Sequence, residues 1–288
     1  MKFEFMEEHR LLFPVQKMAK VLCVSKSGFY AWIKRPESRY AKGDRELRQA
    51  IRKIFEANDG IYGSPKITKE LREQGRKVSR KRVARHMRQT GLRSKVQRRF
   101  RVTTTNSRHK HPIAPNLLNR NFTVTSPNKV WVSDITYVKV GGQWLYLAVF
   151  IDLFSRLVVG WALKDTLEAS LVTKALSNAL CRRKPDAGLM IHSDRGIQYA
   201  GEEFRAVLRA YEFVQSMSRK GNCWDNAVAE SFFHVIKSEC INHVSLDSKE
   251  DAMHTIFKYI EIYYNRKRRH GSIGFVAPDK FETMKAVA

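Results

Sequence analysis

The stretch "VWVSDITYVKVGGQWLYLAVFIDLF", residues 130–154, decides the fold. Both halves are rich in Val, Ile, Thr, Tyr, Trp and Phe, the residue types that pack well on a pleated surface. Gly141 and Gly142 separate them, and a Gly-Gly pair between two such runs reads as a tight hairpin turn. "LVVGWALK" (157–164) is a third strand, and the pattern then changes to a helix over 167–182. "LMIHSD" (189–194) is an apolar run expected to form a buried parallel strand. A helix at 201–212, a short strand "VQSMS" (214–218), a helix over 222–239 and a last helix at 248–265 follow. That order describes an α/β fold, a mixed sheet with helices on both faces.

The residues ahead of this core differ in kind. The chain has 288 residues and 53 Lys/Arg against 28 Asp/Glu, a formal net charge of +25. Residues 1–120 hold 31 basic and 10 acidic residues, a net of +21, whereas the remainder holds 22 and 18, a net of +4. Residues 76–101 carry 12 basic residues and no acid. A basic arm beside a nearly neutral domain points to a polyanion, nucleic acid first. A merely solvated basic surface is the plainer alternative.

Residues 14–35, "PVQKMAKVLCVSKSGFYAWIKR", read as two short helices around a tight turn, with Ser25 or Ser27 placed to cap the second. This is a helix-turn-helix pattern or a plain helical hairpin; Cys23 stands where such a turn usually has Gly. A helix over 44–57 and a second two-helix unit follow, "ITKELREQG" (67–75) and "RKVSRKRVARHMRQTGL" (76–92). Gly75 breaks the first of these helices and Ser79 can cap the next. With Val83 and Met87 facing inward, Arg80, Lys81, Arg82, Arg85 and Arg88 are left outward, a cationic face suited to a phosphate backbone or a major groove. The expected organisation is a basic, all-α helix-turn-helix region (1–100), a Thr/Asn/Ser/Pro-rich linker (101–128), the α/β core (129–265) and a basic C-terminal tail (266–288). In that tail, Arg266, Lys267, Arg268 and Arg269 are expected to touch DNA backbone.

The four cysteines form no CxxC pair, so neither a disulfide framework nor zinc spacing is indicated. "MKFEFMEEHR" has acids where a signal peptide needs its apolar segment, and the run "WLYLAVFI" stops at Asp152, too short to cross a bilayer. The expectation is a cytoplasmic, nucleoid-associated protein with no membrane partner.

Three acids stand out. Asp134 interrupts the first strand, where an unpaired carboxylate is costly to bury. Asp194 closes the fourth strand, at the carboxyl end where open α/β sheets place their sites. Glu230 lies on the helix 36 positions later, with Lys237 two turns on along the same face. Alone, each is an ordinary core, turn or surface residue. If strands one and four are neighbours and the helix packs across them, the three meet at one sheet edge. Hard oxygen donors without His or Cys suit Mg²⁺ or Mn²⁺, and two such ions make the phosphodiester clamp of two-metal catalysis. Asp152 is a candidate fourth acid that reads rather as structural, with Ser155 and Arg156 as near partners, and His192 either assists the site or is packed beside it. Trp224 and Tyr199 could stack on a base or fill the core, and Asn226 reads as a helix N-cap.

Together, "WVSDITYV", "IDLFSRLVVGW", "HSDRGIQYA", "GNCWDNAVAESFFHVIKSE" and "YYNRKRRHGSIGFVAPDKF" resemble the B-frame transposases of bacterial insertion sequences, which carry a retroviral-integrase-like DDE core. "YGSPKITKELREQGRKVSRKRVARHMRQTGL" resembles that family's upstream helix-turn-helix segment. The spacing matches too: 35 residues lie between Asp194 and Glu230, and Lys237 follows Glu230 by seven. The resemblance implies a ribonuclease-H-like core with Asp134, Asp194 and Glu230 as metal ligands, and Lys237 in contact with the transposon end. It implies strand cleavage and strand transfer at terminal inverted repeats into target DNA, by a homodimer or larger assembly on double-stranded DNA. It also implies an A-frame protein as fusion or partner, and no zinc. A metal-dependent nuclease on the same fold and a catalytically inactive DNA-binding regulator remain the alternatives.

Overall fold

A computed structural model of the chain describes residues 1–36, 38–96 and 111–286. Residues 101–110 of the expected linker and the last residues of the basic block lie outside them. Helices α1 (Lys2–Glu8), α2 (Val15–Val21) and α3 (Lys26–Lys34) enclose a small core of Met6, Met18, Ala19 and Phe29. Ser25 caps α3 by accepting from the Gly28 N–H. Between α2 and α3, Cys23 adopts φ 53°, the left-handed region that Gly enters without steric cost. The turn therefore forms although its glycine is missing.

Helices α4 (Arg39–Ala57), α5 (Ser64–Glu73) and α6 (Arg80–Gln89) build a second core around Leu47, Ile51, Ile67, Leu71, Val83 and Met87. Ser79 caps α6 through the Arg82 N–H. On α6, Arg80, Lys81 and Arg88 face solvent. Arg82 does not share their freedom. Its guanidinium lies 2.6 Å from Asp44 of α4, and the Tyr40 ring lies beneath it. Arg82 is thus paired within the helical region while part of its side chain stays exposed. Arg85 is exposed but donates to the Tyr40 hydroxyl at 3.2 Å.

The sheet comprises β1 (Val130–Val140), β2 (Gln143–Asp152), β3 (Val158–Lys164), β4 (Met190–Ser193) and β5 (Val214–Met217), in the order β3-β2-β1-β4-β5. β1, β2 and β3 pair antiparallel; β4 joins β1, and β5 joins β4, in parallel. The β1–β2 turn uses Gly141 at φ 50° and Gly142 at φ 85°, the pair of positive angles a two-residue hairpin demands.

Alternation, interrupted by a bulge between β2 and β3 at Phe150 and Ile151, divides the sheet's two faces. Val132, Val149, Ile151 and Val158 pack against α10 (Ala227–Glu239) and α11 (Lys249–Phe257). Trp131, Ala148, Phe150 and Val159 pack against α7 (Ala169–Arg183), α8 (Ile197–Ala200) and α9 (Glu202–Ala210). At Gly160 a Cβ would stand 2.5 Å from the Ala175 carbonyl oxygen, so only glycine lets α7 lie this close to β3.

Residues 266–286 are not a solvated tail. After α11 the chain continues as a π-helical stretch to Tyr264, and Asn265 clasps the Val158 backbone N–H and C=O at 3.0 Å each. The final helix, α12 (Pro278–Ala286), is held by Glu282, which accepts from Arg183 and Ser155. Arg268 is buried and forks onto Glu239, both bonds 2.7 Å. Arg269 forks onto Glu70 and Glu73 of α5. Both guanidiniums are engaged within the protein, whereas Arg266 and Lys267 stay exposed. Tyr62 closes the same seam, accepting from the Arg269 N–H and donating to the Lys267 carbonyl. The α4–α6 bundle is thus clamped to the end of the core.

His270 lies in that seam. Burial, then Arg268, Arg156 and Lys66, push its imidazole from 6.5 down to about 3. The unfolded chain takes a proton that the folded chain refuses. Stability is therefore full above about pH 6.5 and falls as pH drops towards about 3. Urea midpoints across that window are expected to fall less steeply in His270→Gln.

Candidate active site

The parallel register of β1 with β4 sets Val130, Trp131 and Val132 level with Met190, Ile191 and His192. Continued two residues further, it brings Asp134 level with Asp194, just past the end of β4. Alternation puts Asp134 on the same face as Val132 and Val138, the face that α10 covers. Glu230 and Lys237 ride on α10. Strands one and four are neighbours, and α10 packs against strand one.

The electrostatics record their proximity. Burial, followed by Asp194, raises the proton affinity of Asp134 well above that of an ordinary carboxyl; Glu230 adds to this, while the Ile135 N–H, at 2.8 Å, and Lys237 oppose it. Burial raises Glu230 as well, although it stands at the exposed side of α10. Asp194 accepts from the Gly196 N–H at 2.9 Å. Among the described residues no three His, Cys, Asp or Glu side chains are drawn together as a ready metal cage. Asp194 and Glu230 both push up the proton affinity of Asp134, a repulsion that a cation would relieve. By donor chemistry they fit a hard divalent cation.

Lys237 has only 9% of its surface exposed. Burial lowers its ammonium pKa, and the Asp134 charge opposes that shift.

The start of α10 is fixed by contacts that sequence reading overlooked. The N-cap residue Asn226 makes no capping bond; its amide donates to the Ser133 carbonyl, beside Asp134, at 3.0 Å. Asp225 is fully buried and accepts from Arg219, Arg120 and Asn116 at 2.8–2.9 Å. The Arg219 guanidinium chiefly holds its carboxyl well below the usual range. Asn116 and Arg120 come from the expected linker, so that segment is docked on the core. The adjoining "WDN" in the sequence was the available signal, since an acid beside a helix start is a candidate anchor.

The remaining residues are placed as follows. Asp152 is buried and structural, but its partners are the Asn128 and Phe154 N–H groups and the Trp131 indole N–H. Ser155 instead bonds Glu282. His192 is buried between Ser216 and Ser218. Tyr199 is buried, bonded to Ser133 and packed edge-on against Phe204, so it cannot stack on a base. Trp224 is 68% exposed.

Residues 124–223 and 211–278 match two families described as integrase core domains, and residues 42–100 match an HTH-like domain. The chain is 41% identical over 286 residues to the transposase InsF for insertion sequence IS3A of Escherichia coli (strain K12), covering 98% of each. The chain belongs to the IS3-family transposases. It is also 42% identical over 264 residues to the insertion element IS600 uncharacterized 31 kDa protein of Shigella sonnei, covering 92% of this chain and 97% of that protein. The HTLV-2 integrase catalytic core domain in complex with magnesium aligns at 17% identity and TM-score 0.45, over 56% of this transposase and 99% of that chain. A likeness that distant carries no argument about the site. The transposase is an enzyme of the polynucleotidyl transferase type, and its helical region is of the kind that binds DNA. No helix among its described residues is long and apolar enough to cross a membrane.

Proposed function

We propose that this transposase cuts and joins DNA strands at the ends of an insertion sequence with a DDE site made of Asp134, Asp194 and Glu230. The observation that supports this reading is the parallel pairing of β1 with β4 through Val132 and His192, which, carried two residues on, would set Asp134 opposite Asp194, with α10, which carries Glu230, packed against β1. Their carboxylate oxygens would hold a pair of Mg²⁺ or Mn²⁺ ions. A bound divalent cation supplies Lewis-acid polarisation of the phosphate and a nucleophile usable at neutral pH. Lys237 keeps positive charge beside Asp134 and contributes it to the transposon end's phosphate. Water serves as nucleophile in the first step and the freed 3′-hydroxyl in the second, so both steps use one site.

The exposed cations Arg80, Lys81, Arg85 and Arg88 of α6, with Arg266 and Lys267, carry the DNA backbone in this reading. Replacing Arg80, Lys81 and Arg88 with Gln is expected to lower the slope of log affinity against log salt by about 0.9 per lost phosphate contact. Fluorescence anisotropy across a salt series checks this; an unchanged slope excludes α6 from the interface. Two ends must be held together for joining, which calls for a dimer or larger assembly, working in the cytoplasm on chromosomal DNA, with an A-frame protein as fusion or partner.

The deciding experiment incubates the full chain with Mg²⁺ and labelled duplexes ending in the terminal repeat of the element that encodes it. A nicked strand with a free 3′-hydroxyl and a joined product are expected. Nicking without any joined product supports a nuclease instead, and binding without nicking a regulator.

A further inference from the structure

Trp224 projects from the 3-10 turn Cys223–Asn226, which leads directly into α10. A single exposed aromatic is unremarkable on a protein surface. What sets this one apart is how firmly its turn is held. On one side of the indole's neighbours, Asp225 is buried and takes five hydrogen bonds, from the Arg219 N–H, Nε and Nη2, from Arg120 Nε and from Asn116 Nδ2. On the other, Asn226 is tied to Ser133, the residue before Asp134. The two polar residues of the turn point inward, and the large apolar one is left outside.

The turn thereby bridges the strand bearing Asp134 and the helix bearing Glu230. The cations around it, Arg219, Lys220 and Arg120, are all at least partly exposed. Two guanidiniums against one buried carboxylate leave net positive charge beside the indole. A rigid aromatic face with a cationic rim fits a flat, electron-rich ring attached to a phosphate chain. Every nucleobase presents such a face, and its stacking needs no sequence-specific hydrogen bond. Because the turn is already ordered, little conformational freedom is lost on binding.

We propose that Trp224 is a base-stacking residue. Its indole receives an unpaired nucleobase next to the phosphodiester at Asp134, Asp194 and Glu230, and so positions the strand for reaction. The assignment rests on the reading of that site given above, and it adds a requirement for a melted or frayed end.

The test uses the full chain, its Trp224→Ala and Trp224→Phe variants, and Asp134→Asn as reference. The probes are terminal-repeat duplexes, fully paired or frayed at the cleavage point, with 2-aminopurine walked through single positions. Wild type and Trp224→Phe are expected to quench the probe at one position near the cut, and Trp224→Ala to lose that quench. Trp224→Ala should bind the frayed duplex roughly 5- to 100-fold more weakly, with a smaller effect on paired DNA. An abasic site at the quenched position should erase the difference between wild type and Trp224→Ala, a readout that a merely structural role would not move.

Equal quenching and affinity in Trp224→Ala overturn the assignment. So does an equal loss on paired and frayed DNA, or a change of oligomeric state in that variant, which would make the indole a protein contact. Cleavage that survives Asp134→Asn sinks the reading of the site itself. Cleavage lost in Asp134→Asn together with unaltered binding and quenching in Trp224→Ala sinks only the stacking role.

Discussion

Asp134→Asn is expected to reduce both strand cleavage and strand transfer by at least about 10³-fold, the scale at which a preorganised electrostatic group at a reacting centre contributes. DNA binding is expected to survive, since the exposed cations of α6 lie outside the substituted strand. Stability is expected to rise. Asp134 is disfavoured in its charged form by burial and by Asp194 and Glu230, so its folded pKa lies above the unfolded value. A carboxyl shifted that way costs stability at every pH where the unfolded chain is ionised, and an uncharged amide of the same shape removes the cost. Gains of this class are about 0.5–2 kcal/mol, and a chain of this size gains roughly 2–4 °C in Tm for each kcal/mol. The paired measurement is thermal unfolding in chelator beside product formation in Mg²⁺. A variant that loses stability, or that keeps cutting, contradicts the site as drawn here. Loss of activity alone would not suffice, because any unfolded variant loses activity; greater stability with no chemistry is the discriminating outcome.

The second large effect is structural. Glu239→Gln leaves Arg268, buried and twice bonded to that carboxylate, without its counter-charge; Lys66 at 3.8 Å and the Tyr259 hydroxyl at 2.7 Å lose the same partner. Breaking a buried pair from one side costs about 3–5 kcal/mol, because the surviving charge stays desolvated. The expected fall in Tm is about 6–20 °C. Glu239→Met combined with Arg268→Leu should recover the Arg268 share of that loss and no more, because the Tyr259 hydroxyl and Lys66 still lack their partner. The outcome also tests the role of Arg268. A residue that contacted DNA would lower affinity and spare the fold, whereas the buried fork predicts the reverse. Calorimetry on the single and double variants, with DNA binding measured in parallel, decides between them.

Much of the fold was legible. The change from helical to two-residue periodicity near residue 130, the Gly141–Gly142 turn and the apolar run of β4 are local properties, and local properties are written in adjacent residues. The acids were legible for a related reason: a carboxylate inside an apolar strand is conspicuous wherever the strand goes. The helical caps at Ser25 and Ser79 are likewise three-residue signals that the structure contains.

The charged residues were harder to place. Arg80, Arg82, Arg268 and Arg269 look alike in the sequence, yet one faces solvent and three are spent on Asp44, Glu239, Glu70 and Glu73. Helical periodicity gives the side of a helix that faces out, and it is silent about an acid from another element. Asp225 was overlooked because two of its partners, Asn116 and Arg120, lie more than a hundred positions upstream in a segment whose composition reads as linker.

By itself, then, the sequence determined the order and type of the elements, because strand pattern and turn chemistry are set by near neighbours. Tertiary structure alone decided that β1 pairs with β4, that Asn116 and Arg120 reach Asp225, and which cations are paired with acids from other elements. Coulomb and hydrogen-bond energies depend on distance in space, and only the pairing of β1 with β4 and the docking of α5 and α10 fix those distances.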